Sequence, residues 1–208
     1  MKLLHVKTVG EAWLNAMQSV LMEGMEIADE HNRLLEVCNL YITIDEVEEQ
    51  DALLVRYADK RRIALMKEKY ATCGLVGDYK IDYGSYIYNN NGVDQVEWLK
   101  NRIKQKIETK SATIGLHKPG EEFLACLSLI DFKYRNNKLN MTIVYRSQNV
   151  FSSHPGNLVA LRGIQNDVAN SLNMQVGKIE LLVISAHIYE FDFDEARRIV
   201  FDWEQSTP

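Results

Sequence analysis

Proline is scarce in this chain. Only Pro119, Pro155 and Pro208 occur in 208 residues, and none sits in a Pro/Gly-rich boundary. With no low-complexity linker and no repeat at a fixed period, the expectation is a single domain over residues 1–208. Cysteine is scarce too. Cys38, Cys73 and Cys126 are odd in number and scattered, with no CxxC and no Cys/His cluster. That pattern excludes a disulfide framework and a zinc site, so no metal is expected and a reducing cytoplasm is the natural setting. No apolar run approaches the roughly 20 residues that cross a bilayer, and the amino terminus turns polar by Lys7, so neither a membrane span nor a signal peptide is expected. Positive charge is also in deficit. The formal net charge is −5, which gives no global basic field for nucleic acid, and the densest basic run, Lys60-Arg61-Arg62, reads as a solvated helix face.

What is present is ordinary for a water-soluble globular protein: 46% hydrophobic and 25% charged residues. A chain of this length buries a large core without disulfides. Trp13, Met17, Val20 and Leu21 lie at helical spacing, which predicts a helix over about 9–29. Leu35 to Ile44 is β-branched and aromatic and reads as a strand. Residues 45–70 are expected to be helical, as are those around Val96, Leu99, Ile103 and Ile107. Ala112–Leu116 is a short strand. Phe123–Tyr134 and Lys138–Tyr145 read as a hairpin turning at Asn136-Asn137, because asparagine tolerates positive φ. A long helix over about 157–173, a nearly continuous apolar and so central strand over 179–189, and a last helix from about Asp194 complete the order. The fold class expected is α+β, a mixed β-sheet core flanked by helices.

Four polar points interrupt the apolar strands of the second half: Cys126, Arg146-Ser147, Asn157 and His187-Ile188-Tyr189. Each has a plain reading alone. Cys126 could be an ordinary buried cysteine, Arg146 a strand-end charge, Asn157 a helix start, and His187 with Tyr189 a pair of satisfied core groups. Together they suit one chemistry. A thiol attacks as thiolate, and a nearby guanidinium favours that anion. An arginine fork beside a hydroxyl suits phosphate. Asparagine offers both a donor and an acceptor, as the N3–H and O4 edge of uracil requires. His187 and Tyr189 could hold a sugar hydroxyl.

These motifs resemble the core of the thymidylate synthases. That family has a catalytic cysteine, an Arg-Ser pair, an asparagine at a helix start and a His-x-Tyr on a strand. Here they read Cys126-Leu127, Tyr145-Arg146-Ser147, Pro155-Gly156-Asn157 and Ala186-His187-Ile188-Tyr189, in register without a gap. Upstream, Gly10-Glu11-Ala12-Trp13 and Val20-Leu21-Met22-Glu23-Gly24 are similar to the opening helix of short archaeal members. Asp82-Tyr83-Gly84 resembles the family's Tyr-Gly segment, and Val93-Asp94-Gln95 its Asp-Gln.

The resemblance implies a homodimer acting on a pyrimidine nucleotide monophosphate, most simply conversion of dUMP to dTMP, with 5,10-methylenetetrahydrofolate as carbon donor. Cys126 would attack C6, Arg146 would bind phosphate and activate the thiol, and Tyr83 would help remove the C5 proton. Ser147 would bind phosphate, Asn157 would read the base, and His187 and Tyr189 would contact the ribose. Departures from the pattern are also present. The family's Arg-Arg pair, lent by one subunit to the other's phosphate, is Lys110-Ser111 here. Glu30 stands in register with the loop arginine, and Arg33 follows three residues later. Asn149 replaces the folate-binding aspartate, Ala125 replaces the proline before the cysteine, and no tryptophan is found ahead of Tyr83 in the place where the family stacks one near folate. A uracil or cytosine nucleotide hydroxymethylase, with water capturing the methylene, and a nucleotide-binding or structural homolog without folate chemistry are the alternatives.

Overall fold

In the computed structural model, which describes residues 1–29, 32–45 and 51–206, one mixed sheet and the helices share a hydrophobic core. The strands are β1 (Lys2–Val6), β2 (Met25–Asp29), β3 (Asn32–Ile44), β4 (Thr113–Gly115), β5 (Leu127–Arg135), β6 (Lys138–Tyr145), β7 (Gln148–Asn149) and β8 (Gln175–Tyr189). The helices are α1 (Val9–Glu23), α2 (Ala52–Tyr57), α3 (Lys60–Ala71), α4 (Tyr83–Tyr88), α5 (Gln95–Gln105), α6 (His154–Ser171) and α7 (Phe193–Ser206). The sheet runs β1-β3-β8-β6-β5-β4, with β2 paired to β3 and β7 to β8. β8 is parallel to β6 and antiparallel to β3, so the apolar strand expected at the centre is there, starting four residues earlier than its pattern indicated. The mixed α+β class holds.

Burial alternates along the strands as a one-sided sheet requires. Leu40, Ile42 and Ile44 of β3, Met141, Ile143 and Tyr145 of β6, and Ile179, Leu181 and Val183 of β8 are fully buried under the helices. Their neighbours in sequence face the other way and are half-buried. The β5–β6 hairpin turns at Asn136 (φ 53°) and Asn137 (φ 61°), both left-handed, between the pair Arg135 and Lys138. That is the two-residue turn whose twist matches paired strands.

Other boundaries also differ from the expected ones. α1 stops at Glu23, not near Asp29. Gly24 is extended there, and a Cβ on it would lie 2.4 Å from the Val20 carbonyl and 3.1 Å from Leu35. The chain then turns into β2, whose Met25 and Ile27 are exposed, so their apolar character extended the helical pattern without marking a core. The helix expected over 45–70 is two helices, each opened by an aspartate. Asp51 accepts from Leu53 N (3.0 Å) and Asp59 from Arg61 N (2.8 Å), each meeting a free amide of a first turn. Residues 46–50 of that stretch lie outside the described residues. Strand β5 begins at Leu127, not Phe123, which leaves residues 123–126 as a loop.

Two features position the site from behind. Asp82 caps α4 through Ser85 N and also accepts from Gly74 N, both at 2.8 Å. Gly84 lets that helix press on the Thr72 backbone: a Cβ there would sit 1.9 Å from the Thr72 carbonyl oxygen. In the first turn of α6, His154 is wholly buried and its Nδ1 meets Gln148 Oε1 at 2.7 Å. Burial pushes its pKa down to about 3.

Gly84→Ala is expected to destabilise the protein by about 1–3 kcal/mol in urea unfolding, because the added methyl meets backbone and not a yielding side chain. His154 is neutral in the native state and protonates near pH 6.5 when unfolded, so the stability it contributes is full above pH 6.5 and drains as pH falls toward 3. Between pH 6.5 and 5 the native protein should lose roughly 2 kcal/mol more than His154→Asn does. Parallel stability–pH curves for the two proteins would show that His154 does not carry this loss.

Candidate active site

The loop before β5 and the end of β6 meet by a backbone hydrogen bond, Arg146 N to Cys126 O at 2.9 Å. Cys126 is therefore directly across from Arg146, as the hairpin allowed, although it precedes the strand and does not lie on it. The Arg146 guanidinium donates to the carbonyls of Ala125 (3.1 Å) and Leu124 (2.7 Å), and its Nη2 lies 3.9 Å from Cys126 Sγ. One side chain thus fixes the loop and sets a positive charge against the sulfur. Cys126 is half-buried, whereas Cys38 and Cys73 are exposed.

Cys126 opens onto a cavity of about 210 Å³ whose wall includes Tyr83, Tyr145, Ser147, Asn149 and Asn157. Asn157 lies in the first turn of α6, which starts three residues earlier than expected. Its Oδ1 accepts from Tyr70 Oη (3.3 Å), and Tyr70 Oη meets Tyr145 Oη at 2.6 Å. Burial raises both phenols far above their usual range, so they stay neutral and can each donate and accept. Tyr83 packs on Tyr70 with ring centroids 4.9 Å apart, and its hydroxyl accepts from Leu127 N at 3.3 Å. Burial raises its pKa too.

Beyond Arg146 the chain runs along the end of β8. Ser185 N donates to Arg146 O (3.2 Å), and in β7 Asn149 is in register with His187. This brings Ser147 Oγ within 3.4 Å of His187 Nδ1. His187 is buried, which lowers its pKa, and it meets the Tyr189 ring edge-on at 5.0 Å. Tyr189 in turn stacks on Phe191. His187 and Tyr189 are not in the cavity wall itself.

The remaining residues singled out in the sequence fall elsewhere. Lys110 is exposed, just before β4, and does not line this cavity. Arg33 on β3 is exposed and paired with Glu26 and, at 3.8 Å, Glu190. Glu30 lies outside the described residues. Asn149 is engaged locally: its Oδ1 accepts from Phe151 N (3.0 Å) and Ser152 N (3.2 Å), and its Nδ2 donates to Asp192 (3.4 Å).

Several groups carried no sequence signal. Lys69, Met66, Tyr79 and Ile81 also line the Cys126 cavity, and Tyr70 supports it from behind. A second cavity of about 280 Å³ lies against the same two segments, α3 and residues 151–156. Its wall includes Trp13, Tyr57, Arg62, Phe151 and Asp192. Burial raises the Asp192 pKa, and Trp13 Nε1 donates to the Phe151 carbonyl at 3.2 Å. These contacts join residues from opposite ends of the chain, which periodicity along the sequence does not register.

Among the described residues no helix is long and apolar enough to cross a membrane. Residues 57–207 match the family model described as thymidylate synthase. The chain is 30% identical to a protein of Methanothermobacter thermautotrophicus over 95% of this chain and 97% of that one, and 25% identical to one of Methanococcoides burtonii over 96% and 94%. Both relatives bear the name "Putative thymidylate synthase". With its hairpin-mounted cysteine and arginine, its mixed sheet and a match over most of its length, the chain belongs to the thymidylate synthase family.

Proposed function

We propose that the protein transfers one carbon to C5 of dUMP to give dTMP, with 5,10-methylenetetrahydrofolate as donor. The observation that carries this reading is the half-buried Cys126 beside Arg146, on the wall of the same cavity as Asn157. The Cys126 thiolate adds to C6, and the electron pair of the ring moves toward the C4 oxygen. Asn157 reads that edge. Its oxygen is already oriented by Tyr70, and it retains an acceptor position for N3–H while its amide nitrogen donates to O4. The phosphate lies against Ser147 and the part of the Arg146 fork not bound to the loop. His187 and Tyr189 hold the ribose 3′-hydroxyl. Tyr83, neutral at working pH, orients the water that takes the C5 proton.

The second cavity fits the donor. Aromatic walls from Trp13, Tyr57 and Phe151 suit a flat bicycle, and the Asp192 carboxylate suits its N–H edge. Asn149, in the place of the family's aspartate, is engaged with its own turn and serves by holding Asp192. When bound, the donor supplies the carbon unit and, for a methyl product, the hydride. The protein's part is to hold the two reactants side by side across residues 147–157.

The second subunit covers the sheet face that the helices leave open. Leu129, Val144, Leu182 and Tyr41 form one cross-strand row there, each half-buried in the single chain. An apolar row of that kind at the centre of a sheet suits a twofold contact. Lys110, exposed and apart from its own cavity, then serves the neighbouring subunit's phosphate.

Incubation with dUMP, UMP, dCMP or CMP and the donor, followed by product mass, should show methyl gain on dUMP alone. Cys126→Ser should abolish it while nucleotide binding persists, because an alcohol is a far poorer nucleophile than a thiolate. Hydroxymethyl gain would make water the final acceptor, and an absence of product from all four nucleotides would remove the enzymatic reading. Sedimentation at micromolar concentration should give a dimer, and Leu182→Arg should give a monomer. A native protein that sediments as a monomer overturns the subunit arrangement.

A further inference from the structure

Lys69, in the last turn of α3, is only 7% exposed and lines the Cys126 cavity. Lysine is seldom this buried without a carboxylate, yet among the described residues no acidic side chain pairs with it. Its ammonium lies over the faces of Tyr79 (3.7 Å) and Tyr83 (4.3 Å). Burial pulls its pKa down to about 8, and the group that opposes this is Cys126. The bland reading is a long stem packed between two rings, with cation–π contact satisfying the head. That reading accounts for the stem, and it leaves open why an ammonium and not a methionine ends it. A cation facing a thiol across a small cavity has a use whenever the thiol becomes an anion, and the attraction is reciprocal.

We propose that Lys69 is a positioning residue whose ammonium, together with Arg146, holds Cys126 as the thiolate. The thiol proton passes to water, and the two cations come from different elements: Arg146, at the end of β6, lies 3.9 Å from the sulfur, and Lys69, on α3, lines the same cavity. The other titratable groups on the cavity are Tyr79 and Lys80 in the loop before α4, Tyr83 on α4 and Tyr145 on β6, with Tyr70 behind them. Burial raises all four phenols, so they carry no charge near neutrality. Lys69 loses its own proton above about pH 8, so its effect on the sulfur is confined to lower pH. The inference rests on Cys126 being the nucleophile of the proposed reaction.

The test needs neither nucleotide nor carbon donor. In the full chain with Cys38→Ser and Cys73→Ser, Cys126 is alkylated with iodoacetamide across a pH series. Lys69→Met should slow alkylation at pH 7 by about fivefold or more, and the rates should converge within about twofold at pH 10, where the wild-type ammonium is also lost. Lys69→Arg should restore most of the rate at pH 7. Urea unfolding of Lys69→Met should show no loss of stability, since a buried charge has been removed; a lysine that only packs would show the reverse pattern. Lys69→Gln replaces the Met variant if that protein aggregates. Alkylation at the wild-type rate at pH 7, or a slowing that persists undiminished at pH 10, overturns the proposal. If the alkylation pattern holds while no nucleotide is turned over, the functional reading fails and Lys69 keeps its role. If turnover is found with alkylation unmoved, the role of Lys69 alone fails.

Discussion

Carbonyl groups in the loop before β5 have no strand to pair with, and the guanidinium of Arg146 satisfies two of them. The rest of the site depends on this contact. It fixes Cys126 at the point where the β5–β6 ladder closes through Arg146 N, immediately before the bulge between Leu127 and Leu129. From the same residue the chain leaves β6, passes Ser147 and returns as β7 along β8, which sets Asn149 opposite His187. Position and charge therefore come from one side chain. Removing it would free both loop carbonyls as well as leave the sulfur without its cation, so an Arg146 variant cannot separate scaffold from chemistry. Lys69 touches no loop carbonyl, and for that reason it is the better place to ask what charge alone does.

The polar groups around the cavity would be costly in an ordinary core, since each must find a partner once water is excluded. They find one another. Tyr145, Tyr70 and Asn157 form a chain of hydroxyl and amide contacts that links β6, α3 and α6. A satisfied network of this kind holds each member to a single orientation. In the proposed function Asn157 needs that, because a free amide reads uracil and cytosine almost equally well, whereas one with its oxygen already engaged is biased in how it faces a base. Rigid phenols behind the asparagine thus bear on base choice without reaching the base.

The sequence made legible what local chemistry determines. Asn136-Asn137 marked a turn because few other residues accept two left-handed positions, and the structure has both. The nearly continuous apolar run over 179–189 marked a central strand, and β8 lies between β3 and β6. Cys126, Arg146, Asn157 and His187 stood out because each is polar within an apolar run, and the fold brings these four together. Lys69 stayed hidden for the opposite reason: it sits in a helix rich in charge, where one more lysine carries no signal. Trp13 and Asp192 lie about 180 residues apart and share a cavity wall only through α1 and the turn after β8. The end of α1 was missed because apolar Met25 and Ile27 continued its pattern, although they are exposed in β2 and it is Gly24 that stops the helix.

In the proposed function, charge around the phosphate follows from how each arginine is already engaged. Three donor contacts of Arg146, to two carbonyls and the sulfur, involve Nε and Nη2 and leave Nη1 out. Arg33 is near the same end of the sheet, but Glu26 and Glu190 flank it, and Glu26 raises its pKa further. A phosphate reaching Arg33 would have to displace a carboxylate of the same sign, and the gain would be small at so exposed a position. A single fork from Arg146 is thin support for a dianion, and in the proposed dimer the neighbouring subunit adds to it. On that proposal Lys110 acts as a point charge without a fork: it would neutralise a phosphate of the neighbouring chain, but would fix its angle less firmly than an arginine pair. Orientation of the nucleotide then falls to the base end, where Asn157 and its tyrosines are held fast.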